Sequence, residues 1–384
     1  MSQTFQIGAD RLTLLQNGVE YFPQLVTAID AAQRSVYLET YIFAADDTGR
    51  LVSQALQRAA QRQVAVHLLL DGYGSAELPE SWVEEMRRAG VAVQWFRREY
   101  GFFRLRRHRL RRMHRKLAVI DGATAFIGGI NILDDIPVEA GIDAPRLDYA
   151  VCVQGPLAAE VQGAVRQLWS SVHWASLRRR LGRLRARLRR PPRADNRPSA
   201  LLLRDNLRNR HKIEAAYLRA IRGAQREIVL AHAYFLPGRA VRRALLHAAQ
   251  RGVRVVMLLQ GRVEYRLQHH ATQALYAQLL GAGIELYEYR ASFLHAKVCV
   301  VDGSWATLGS SNLDPFSLWL AREANLAVRD AAFAAALRDS VLRAIATESQ
   351  AVQRPPRHPF AVLMARLSYG AIRLLVGLLI RQRH

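Results

Sequence analysis

Lysine is unusually scarce in this chain. Of its 384 residues, 55 are lysine or arginine, and the lysines among them are confined to positions 116, 212 and 297. Arginine is the default cation here, so a lysine at a particular position suggests a site that prefers a compact ammonium to a planar guanidinium.

Cysteine and long apolar runs are scarce as well. Cys152 and Cys299 each lie in an apolar, strand-like run, which argues against a disulfide framework and against a cysteine-based metal site. The N-terminal residues lack the basic and apolar regions of a signal peptide, and no run reaches the roughly 18 apolar residues of a spanning helix. We therefore expect a protein made and kept on the cytosolic side.

The composition is otherwise that of a folded, strongly basic protein. Half of the residues are hydrophobic and the formal net charge is +23. A chain of this length can bury ample core and most simply forms two domains. The charge indicates an anionic partner, which could be nucleic acid, an anionic bilayer or a phosphate-bearing substrate.

An internal repeat is the strongest organisational signal. AAQRQVAVHLLLDG at 59–72 matches AAQRGVRVVMLLQG at 248–261 at nine of fourteen positions. RSVYLETYIF at 34–43 likewise parallels REIVLAHAYF at 226–235, upstream of it in the chain. The repeated blocks follow the same order in both halves.

Each half alternates apolar, β-branched strands with helices, which predicts the α/β class. We expect two homologous lobes, each a mixed, mostly parallel sheet flanked by helices, related by a pseudo-twofold axis with the active site between them. The predicted divisions are an N-terminal lobe at 1–176, an arginine-rich amphipathic linker at 177–199, a C-terminal lobe at 200–345 and a basic amphipathic tail at 346–384.

The linker and the tail both suit a membrane surface. Leu177, Leu181, Leu184 and Leu188 form one apolar stripe on an arginine-covered helix, and the apolar tail is interrupted by Arg366 and Arg373. Such basic amphipathic segments are typical of interfacial helices. The alternatives are a solvated linker and a tail helix packed on the second lobe.

Two of the three lysines occupy the same place in a duplicated motif. HRKLAVIDGATAFIGGIN spans 114–131, and HAKVCVVDGSWATLGSSN spans 295–312. Residues two apart on a strand share a face, so His114 lies beside Lys116, and His295 beside Lys297. If the lobes pack about a twofold axis, both pairs meet in one cleft.

Two histidines and two lysines suit phosphoryl chemistry. One imidazole attacks phosphorus, the other protonates the leaving oxygen, and the cations hold the non-bridging oxygens. Gly129 and Ser310 follow the turns, where backbone can approach a phosphate, and Asn131 and Asn312 can donate to it. A nucleophilic histidine also needs a partner for its other ring nitrogen. The candidates are Asp148 and Glu323, since each opens an apolar run after its motif.

Asp121 and Asp302 complete the motif and belong to the candidate catalytic set. Each precedes a glycine, and Asp-Gly is an ordinary turn dipeptide, so a structural or supporting role is favoured over direct chemistry. Metal ligation is also conceivable for three other histidines, His232, His269 and His270. No carboxylate spacing supports it, and we expect neither metal nor cofactor.

The duplicated pattern H-x-K-x4-D-x6-G-[GS]-x-N resembles the signature of the phospholipase D superfamily over nearly the whole chain. LLQNGVEYFPQLVTAIDAAQRSVYLETYIFAADDTGR, NLRNRHKIEAAYLRAI and AYFLPG look more narrowly like the bacterial cardiolipin synthases, in particular the cardiolipin synthase B subgroup.

The resemblance implies transfer of a phosphatidyl group between two phosphatidylglycerol molecules, giving cardiolipin and glycerol, through a phosphohistidine and without metal. It further implies that His114 is the nucleophile and His295 the acid and base, with the reverse left open. An acidic residue beyond each motif orients that motif's histidine, a position that Asp148 and Glu323 match. Gly129 departs from the serine that Ser310 supplies in the other half, so a hydroxyl contact to phosphate is expected on one side only.

Three further functions remain open at this stage: a hydrolase of the phospholipase D type, a nuclease of the same type, and a non-catalytic scaffold that binds anionic membranes. The segment 97–115 interleaves arginines with aromatic residues and could contact bases or an anionic lipid interface. Because the linker and tail are also basic and amphipathic, we favour a phospholipid substrate and a membrane surface over nucleic acid. We expect a peripheral protein on the cytoplasmic face of the bacterial inner membrane; the sequence does not indicate its oligomeric state.

Overall fold

The computed structural model describes residues 2–98, 111–178, 197–205, 209–353, 364–365 and 367–371. Within these ranges the chain forms two eight-stranded sheets flanked by helices. The predicted α/β class and two-lobe organisation are confirmed.

The first lobe begins with a hairpin, alternates strands with helices, and ends in a long helix. Its strands are β1 (Gln3–Ile7), β2 (Asp10–Gln16), β3 (Ser35–Thr40), β4 (Ala65–Asp71), β5 (Ala92–Phe96), β6 (Leu117–Ile120), β7 (Thr124–Gly128) and β8 (Tyr149–Gln154). Its helices are α1 (Asn17–Asp30), α2 (Asp47–Gln61), α3 (Glu80–Arg88) and α4 (Pro156–Arg178).

The second lobe repeats this plan. Its strands are β9 (Ser199–Arg204), β10 (Glu227–His232), β11 (Arg254–Gln260), β12 (Glu285–Tyr289), β13 (Lys297–Val301), β14 (Trp305–Gly309), β15 (Glu323–Arg329) and β16 (Ser349–Ala351). Its helices are α5 (Lys212–Gly223), α6 (Arg239–Gln250), α7 (Arg266–Gln273), α8 (Tyr276–Gly281), α9 (Pro315–Trp319) and α10 (Ala331–Glu348).

The sheets are mixed, as predicted, but the expectation that they are mostly parallel is wrong. The strand orders are β1-β2-β8-β7-β6-β3-β4-β5 and β16-β12-β11-β10-β13-β14-β15-β9. Only the pairs β3–β4, β4–β5, β10–β11 and β11–β12 are parallel among these ladders. Crossover helices produce those four pairs, whereas the motif strands are joined by tight turns, which require antiparallel neighbours.

Each motif lies on such a hairpin. β6 and β13 are short and buried along their whole length, and apart from Lys297 at the start of β13 they are apolar. At the first turn Asp121 and Gly122 have φ of 55° and 69°, and at the second Asp302 and Gly303 have φ of 54° and 63°. Two consecutive positive φ values are what a type I′ hairpin turn needs, and Asp-Gly tolerates them well. The dipeptide therefore returns the chain as β7 and β14.

One hydrophobic core joins the two lobes. It combines residues of the β6–β8 region with residues of β10, β13, β15 and α10. Phe5 of β1 packs edge-on against Phe333 of α10, with ring centroids 5.5 Å apart. Separate clusters lie beneath the outer helices of each lobe. The inner faces of the two sheets thus bury each other, which brings the two motifs together.

Three predicted boundaries differ from the observed elements. α4 runs to Arg178, past the predicted end of the first lobe at 176, and β9 begins at Ser199 rather than 200. α10 continues to Glu348 because its alanine-rich sequence contains no helix breaker, and β16 then pairs with β12. The second lobe therefore extends beyond 345.

The linker stripe beyond residue 178 and most of the tail lie outside the described residues. In the described part of the tail, the Tyr369 hydroxyl accepts a hydrogen bond from Arg242 at 3.0 Å, so this short stretch packs on the second lobe, in line with the alternative for the tail. Among the described helices, none has both the length and the apolar character to cross a membrane.

Candidate active site

Two short backbone bridges between the lobes position the motif histidines. Met113 pairs with Arg322, and Leu147 pairs with Leu294, in isolated parallel bridges. The N–H of His114 donates to the carbonyl of Arg322 at 2.9 Å, and the N–H of His295 donates to the carbonyl of Leu147 at the same distance. Each histidine therefore begins its motif beside the residue that precedes a carboxylate of the other lobe.

Each carboxylate consequently contacts the histidine of the opposite lobe. Nδ1 of His114 lies 3.1 Å from Oε2 of Glu323, and Nδ1 of His295 lies 2.6 Å from Oδ2 of Asp148. The expected pairing, with each carboxylate orienting the histidine of its own motif, is wrong. The two acidic residues are the predicted ones, but each lobe supplies the partner for the opposite histidine.

Hydrogen bonding determines which ring nitrogen of His114 carries the proton. Its Nδ1 faces the Ser310 carbonyl at 3.1 Å as well as Glu323, and a carbonyl only accepts, so Nδ1 carries the proton and Nε2 keeps its lone pair. Burial lowers the pKa of His114, against the attraction of Glu323. Burial alone would raise the pKa of Glu323, but His114, Lys116 and Ser310 outweigh it, and that pKa is lowered. This pair is therefore a neutral imidazole held by an ionised carboxylate.

The pair in the other lobe differs electrostatically. Burial raises the pKa of Asp148 to about 6, against the attraction of Lys297 and a hydrogen bond from the Tyr149 N–H. Burial, then Lys297 and Lys116, lowers the pKa of His295 well below its ordinary value. Burial therefore disfavours the charged form of both partners in the His295–Asp148 pair.

Both motif lysines are buried against the same cleft. Lys116 is 3% exposed and Lys297 is fully buried. The ammonium of Lys116 donates to the His114 carbonyl at 2.8 Å, and that of Lys297 donates to the His295 carbonyl. An ammonium has three N–H donors, so each lysine retains donors for a ligand. Burial lowers the pKa of Lys116 to about 7, and it also lowers that of Lys297.

Gly129 and Ser310 occupy equivalent positions next to the two carboxylates, and a close approach of phosphate to Gly129 stays a prediction. A Cβ at position 129 would lie 2.3 Å from Oδ1 of Asp148, so only glycine leaves room for that side chain. The Ser310 hydroxyl donates to Oε2 of Glu323 at 2.6 Å and accepts from the Ala324 N–H at 3.0 Å. Because its one donor is engaged, the predicted hydroxyl contact to phosphate is not supported.

The two asparagines lie at the ends of the motifs and are both buried. Oδ1 of Asn131 accepts from the Ile42 N–H at 3.2 Å, which orients the amide and leaves its N–H₂ group as a donor. Oδ1 of Asn312 has no partner among the described residues. Amide donors of this kind suit a phosphate oxygen, and phosphate contact by Asn131 and Asn312 stays a prediction.

The motif aspartates, Asp121 and Asp302, accept hydrogen bonds from the backbone of a neighbouring strand. Oδ1 of Asp121 accepts from the N–H groups of Arg34 and Ser35, and Oδ2 accepts from that of Gln33. Asp302 bonds in the same way to residues 225–227, at the start of β10. Burial tends to raise the pKa of Asp121, but the backbone donors lower it overall. Both aspartates tie the hairpin turn to a neighbouring strand, which favours the structural role.

Tyr41 is a site residue that the sequence reasoning missed. Its ring centroid lies 4.8 Å from that of His114 in an edge-on arrangement, and the Lys116 ammonium lies 5.2 Å from it. The only available signal was a difference within the repeat, because the matching position of the second half is Ala233. Tyr41 thus lines the His114 side of the cleft.

His232, His269 and His270 each contact a neighbouring side chain in the second lobe. His232 is buried beside the Tyr217 hydroxyl at 3.3 Å, and burial lowers its pKa to about 3. His269 and His270 contact Gln273. In the described residues, no group of three or more histidine, cysteine, aspartate or glutamate side chains could hold a metal ion. The aromatic and arginine insertion lies mostly outside the described residues.

Comparisons with known proteins agree with this architecture. A family model described as "Cardiolipin synthase, PLD-like domain" matches residues 25–135 and 217–344. Cardiolipin synthase B of Shigella flexneri and that of Escherichia coli strain K12 are each 38% identical over 353 residues, covering 89% of this chain and 82% of the relative.

A solved structure supports the fold independently. Phosphatidylserine synthase of Haemophilus influenzae superposes with a TM-score of 0.70 at 14% identity, covering 97% of this chain and 96% of that one. The family match spans both motif hairpins and most of both lobes. The chain therefore belongs to the cardiolipin synthase family of phospholipase D-like proteins.

Proposed function

We propose that this protein is a cardiolipin synthase, a phosphatidyltransferase that passes a phosphatidyl group from one phosphatidylglycerol to the hydroxyl of another and releases glycerol. The observation that carries the proposal is the crossed pair of histidines, each oriented by a buried carboxylate of the opposite lobe. Family membership supports the same reaction.

In the first step Nε2 of His114 attacks phosphorus, and the bond to the departing glycerol oxygen breaks. Nδ1 of His114 keeps its proton toward Glu323, which stabilises the positive charge that develops on the ring. Lys116 and Lys297 offset the charge on the non-bridging oxygens, and we assign Asn131 and Asn312 to the same oxygens.

His295 supplies the proton that the glycerol oxygen takes. Burial, and after it the charges of Lys297 and Lys116, lowers the pKa of His295. A bound phosphodiester anion offsets their charge and so raises that pKa, which populates the acid form when substrate is in place. In the second step His295 removes the proton from the acceptor hydroxyl, whose oxygen attacks phosphorus, and the bond from phosphorus to His114 breaks.

A phospholipid substrate places the protein at a membrane. We propose peripheral association, assisted by the basic charge of the chain, since arginine side chains favour anionic lipid surfaces. The cytoplasmic face of the bacterial inner membrane is the surface we assign to it.

The test is incubation of the purified protein with phosphatidylglycerol vesicles without added metal, with assay of cardiolipin, phosphatidic acid and glycerol. We expect cardiolipin and glycerol in equal amounts, both lost in His114→Ala, and no change when a chelator is added. Phosphatidic acid as the main product would instead identify a hydrolase. An absence of lipid turnover would direct attention to a nucleic-acid substrate, and turnover unaffected by the double variant His114→Ala/His295→Ala would contradict the assignment of the site.

A further inference from the structure

Position 71 and position 260 are equivalent in the repeat, yet they carry different side chains. In the first lobe, Oδ2 of Asp71 accepts from the N–H of Met113 at 2.7 Å. In the second, Oε1 of Gln260 accepts from the N–H of Leu294 at 2.9 Å. Both side chains therefore hold the residue that immediately precedes a motif histidine.

Gln260 has one hydrogen-bonding group, its side-chain N–H₂, that remains unused, whereas Asp71 has none. Oδ1 of Asp71 accepts from the N–H groups of Tyr73 and Gly74, so both of its oxygens are engaged. Since the Leu294 N–H must face an oxygen, Nε2 of Gln260 points the other way. This N–H₂ group is buried and has no partner among the described residues, in a side chain only 8% exposed. A buried donor without an acceptor is costly, which suggests that a ligand completes it.

Gln260 lines a small cleft just beyond the ends of β10 and β11. The other walls include Ala233, Tyr234, Glu264 and Tyr265, and the base has room for a group about the size of one water molecule. The N–H of Ala233 donates to the carbonyl of Ala296 at 3.0 Å. The cleft is thus tied to the residues on both sides of His295.

The walls offer both a donor and an acceptor. The Tyr234 hydroxyl donates to Oε2 of Glu264, which fixes that carboxylate at the mouth of the cleft. The ring of Tyr265 packs edge-on against that of Tyr234, with centroids 5.7 Å apart. Glu264 also contributes to the electrostatic field at Lys297.

We infer that this cleft binds a hydroxyl group of the alcohol that His295 protonates or deprotonates, and that it selects neutral polyhydroxy alcohols of the glycerol type. This inference rests on the proposed function. A hydroxyl accepts from Nε2 of Gln260 and donates toward Glu264 at the same time. An ammonium cannot accept from Gln260, and an anionic group is repelled by Glu264, so a neutral hydroxyl fits both partners.

Partitioning of the covalent intermediate tests this directly. The enzyme is given phosphatidylglycerol vesicles with labelled glycerol and 1-propanol at equal concentration, and the ratio of labelled phosphatidylglycerol to phosphatidylpropanol is measured. Because both products come from one intermediate, the ratio does not depend on the total rate. 1-Propanol lacks the additional hydroxyls that the cleft would hold.

Gln260→Glu is the decisive variant, measured at a pH where the new carboxyl group is ionised, since a carboxylate oxygen still accepts from the Leu294 N–H but no donor remains. We expect the glycerol-to-propanol ratio to fall about tenfold, as loss of one buried hydrogen bond to a substrate implies. Gln225→Glu adds the same charge at an exposed position and should leave the ratio unchanged. If Gln260→Glu does not fold, Glu264→Ala on the exposed loop is expected to lower the ratio as well.

The failures of the two proposals are distinguishable. Normal transfer with an unchanged ratio in Gln260→Glu and Glu264→Ala would overturn the hydroxyl cleft alone and leave Gln260 as a support for Leu294. Wild-type protein that transfers phosphatidyl groups to no alcohol would overturn the proposed function, and the cleft with it.

Discussion

At the scale of single residues, the two histidine pairs are chemically unequal although the repeat makes them geometrically equivalent. His114 faces a carboxylate whose pKa is lowered, whereas His295 faces one whose pKa is raised to about 6. Burial lowers the pKa of both histidines and so favours the neutral imidazole in each pair. The assignment of His114 to attack and His295 to proton transfer therefore stays a prediction from the family resemblance.

The unequal pairs predict unequal responses to removal of their carboxylates. Glu323→Gln should slow attack by about a hundredfold or more on any phosphodiester, since His114 loses its orienting charge. Asp148→Asn should slow lipid turnover similarly but retain the initial burst of p-nitrophenolate from bis(p-nitrophenyl) phosphate, whose leaving group needs no proton. Burst kinetics of both variants with the lipid and with bis(p-nitrophenyl) phosphate check this. A burst that is lost in Asp148→Asn and retained in Glu323→Gln would assign the nucleophile to His295.

The lowered pKa of Lys116 predicts how activity depends on pH. Its pKa of about 7 means that the free site loses a cation as pH rises through 7, so kcat/KM should decline above that pH. A bound phosphate anion stabilises the ammonium and raises its pKa, so the decline in kcat should lie at higher pH. Steady-state pH profiles test the shift, and coincident profiles would show that a different group controls this limb.

At the scale of secondary-structure elements, the motif hairpins are tied to their neighbours by the aspartates at their turns. Asp121→Ala removes an acceptor from three backbone N–H groups and should lower the free energy of unfolding by about 1–3 kcal/mol. Activity per folded molecule should remain close to that of the wild type. Asp302→Ala is the matched variant in the second lobe. Denaturant unfolding together with kcat measures both, and a large loss of kcat at unchanged stability would restore a catalytic role.

The elements also show how far sequence reasoning reached. The hairpins, the repeat and the identities of Asp148 and Glu323 were predictable, because local patterns such as H-x-K and Asp-Gly encode them. The crossing of the carboxylates was not, since it depends on two interlobe bridges at Met113 and Leu147 that have no local signature. Likewise, the unused N–H₂ donor of Gln260 could not be predicted from sequence, because it depends on the hydrogen bond from the Leu294 N–H to Oε1 of Gln260.

At the scale of the whole molecule, we expect the lobes to unfold as one cooperative unit, because they share a core and complete each other's site. Phe333 is fully buried and contacts Phe5 of the other lobe. Phe333→Ala should therefore cost about 3–5 kcal/mol and shift a single unfolding transition. Far-ultraviolet circular dichroism and tryptophan fluorescence should coincide. Two separate transitions, with only one displaced, would mean that the lobes unfold independently.

We propose that phosphatidyl transfer proceeds through a covalent bond to His114. The most direct measurement is to mix the enzyme with phosphatidylglycerol labelled at phosphorus, quench within the first turnovers in alkaline denaturant, and map the labelled peptide. We expect label on the peptide that contains His114, and we expect that label to be lost in His114→Ala. Label on the peptide that contains His295, or cardiolipin formation without any labelled protein, would contradict it.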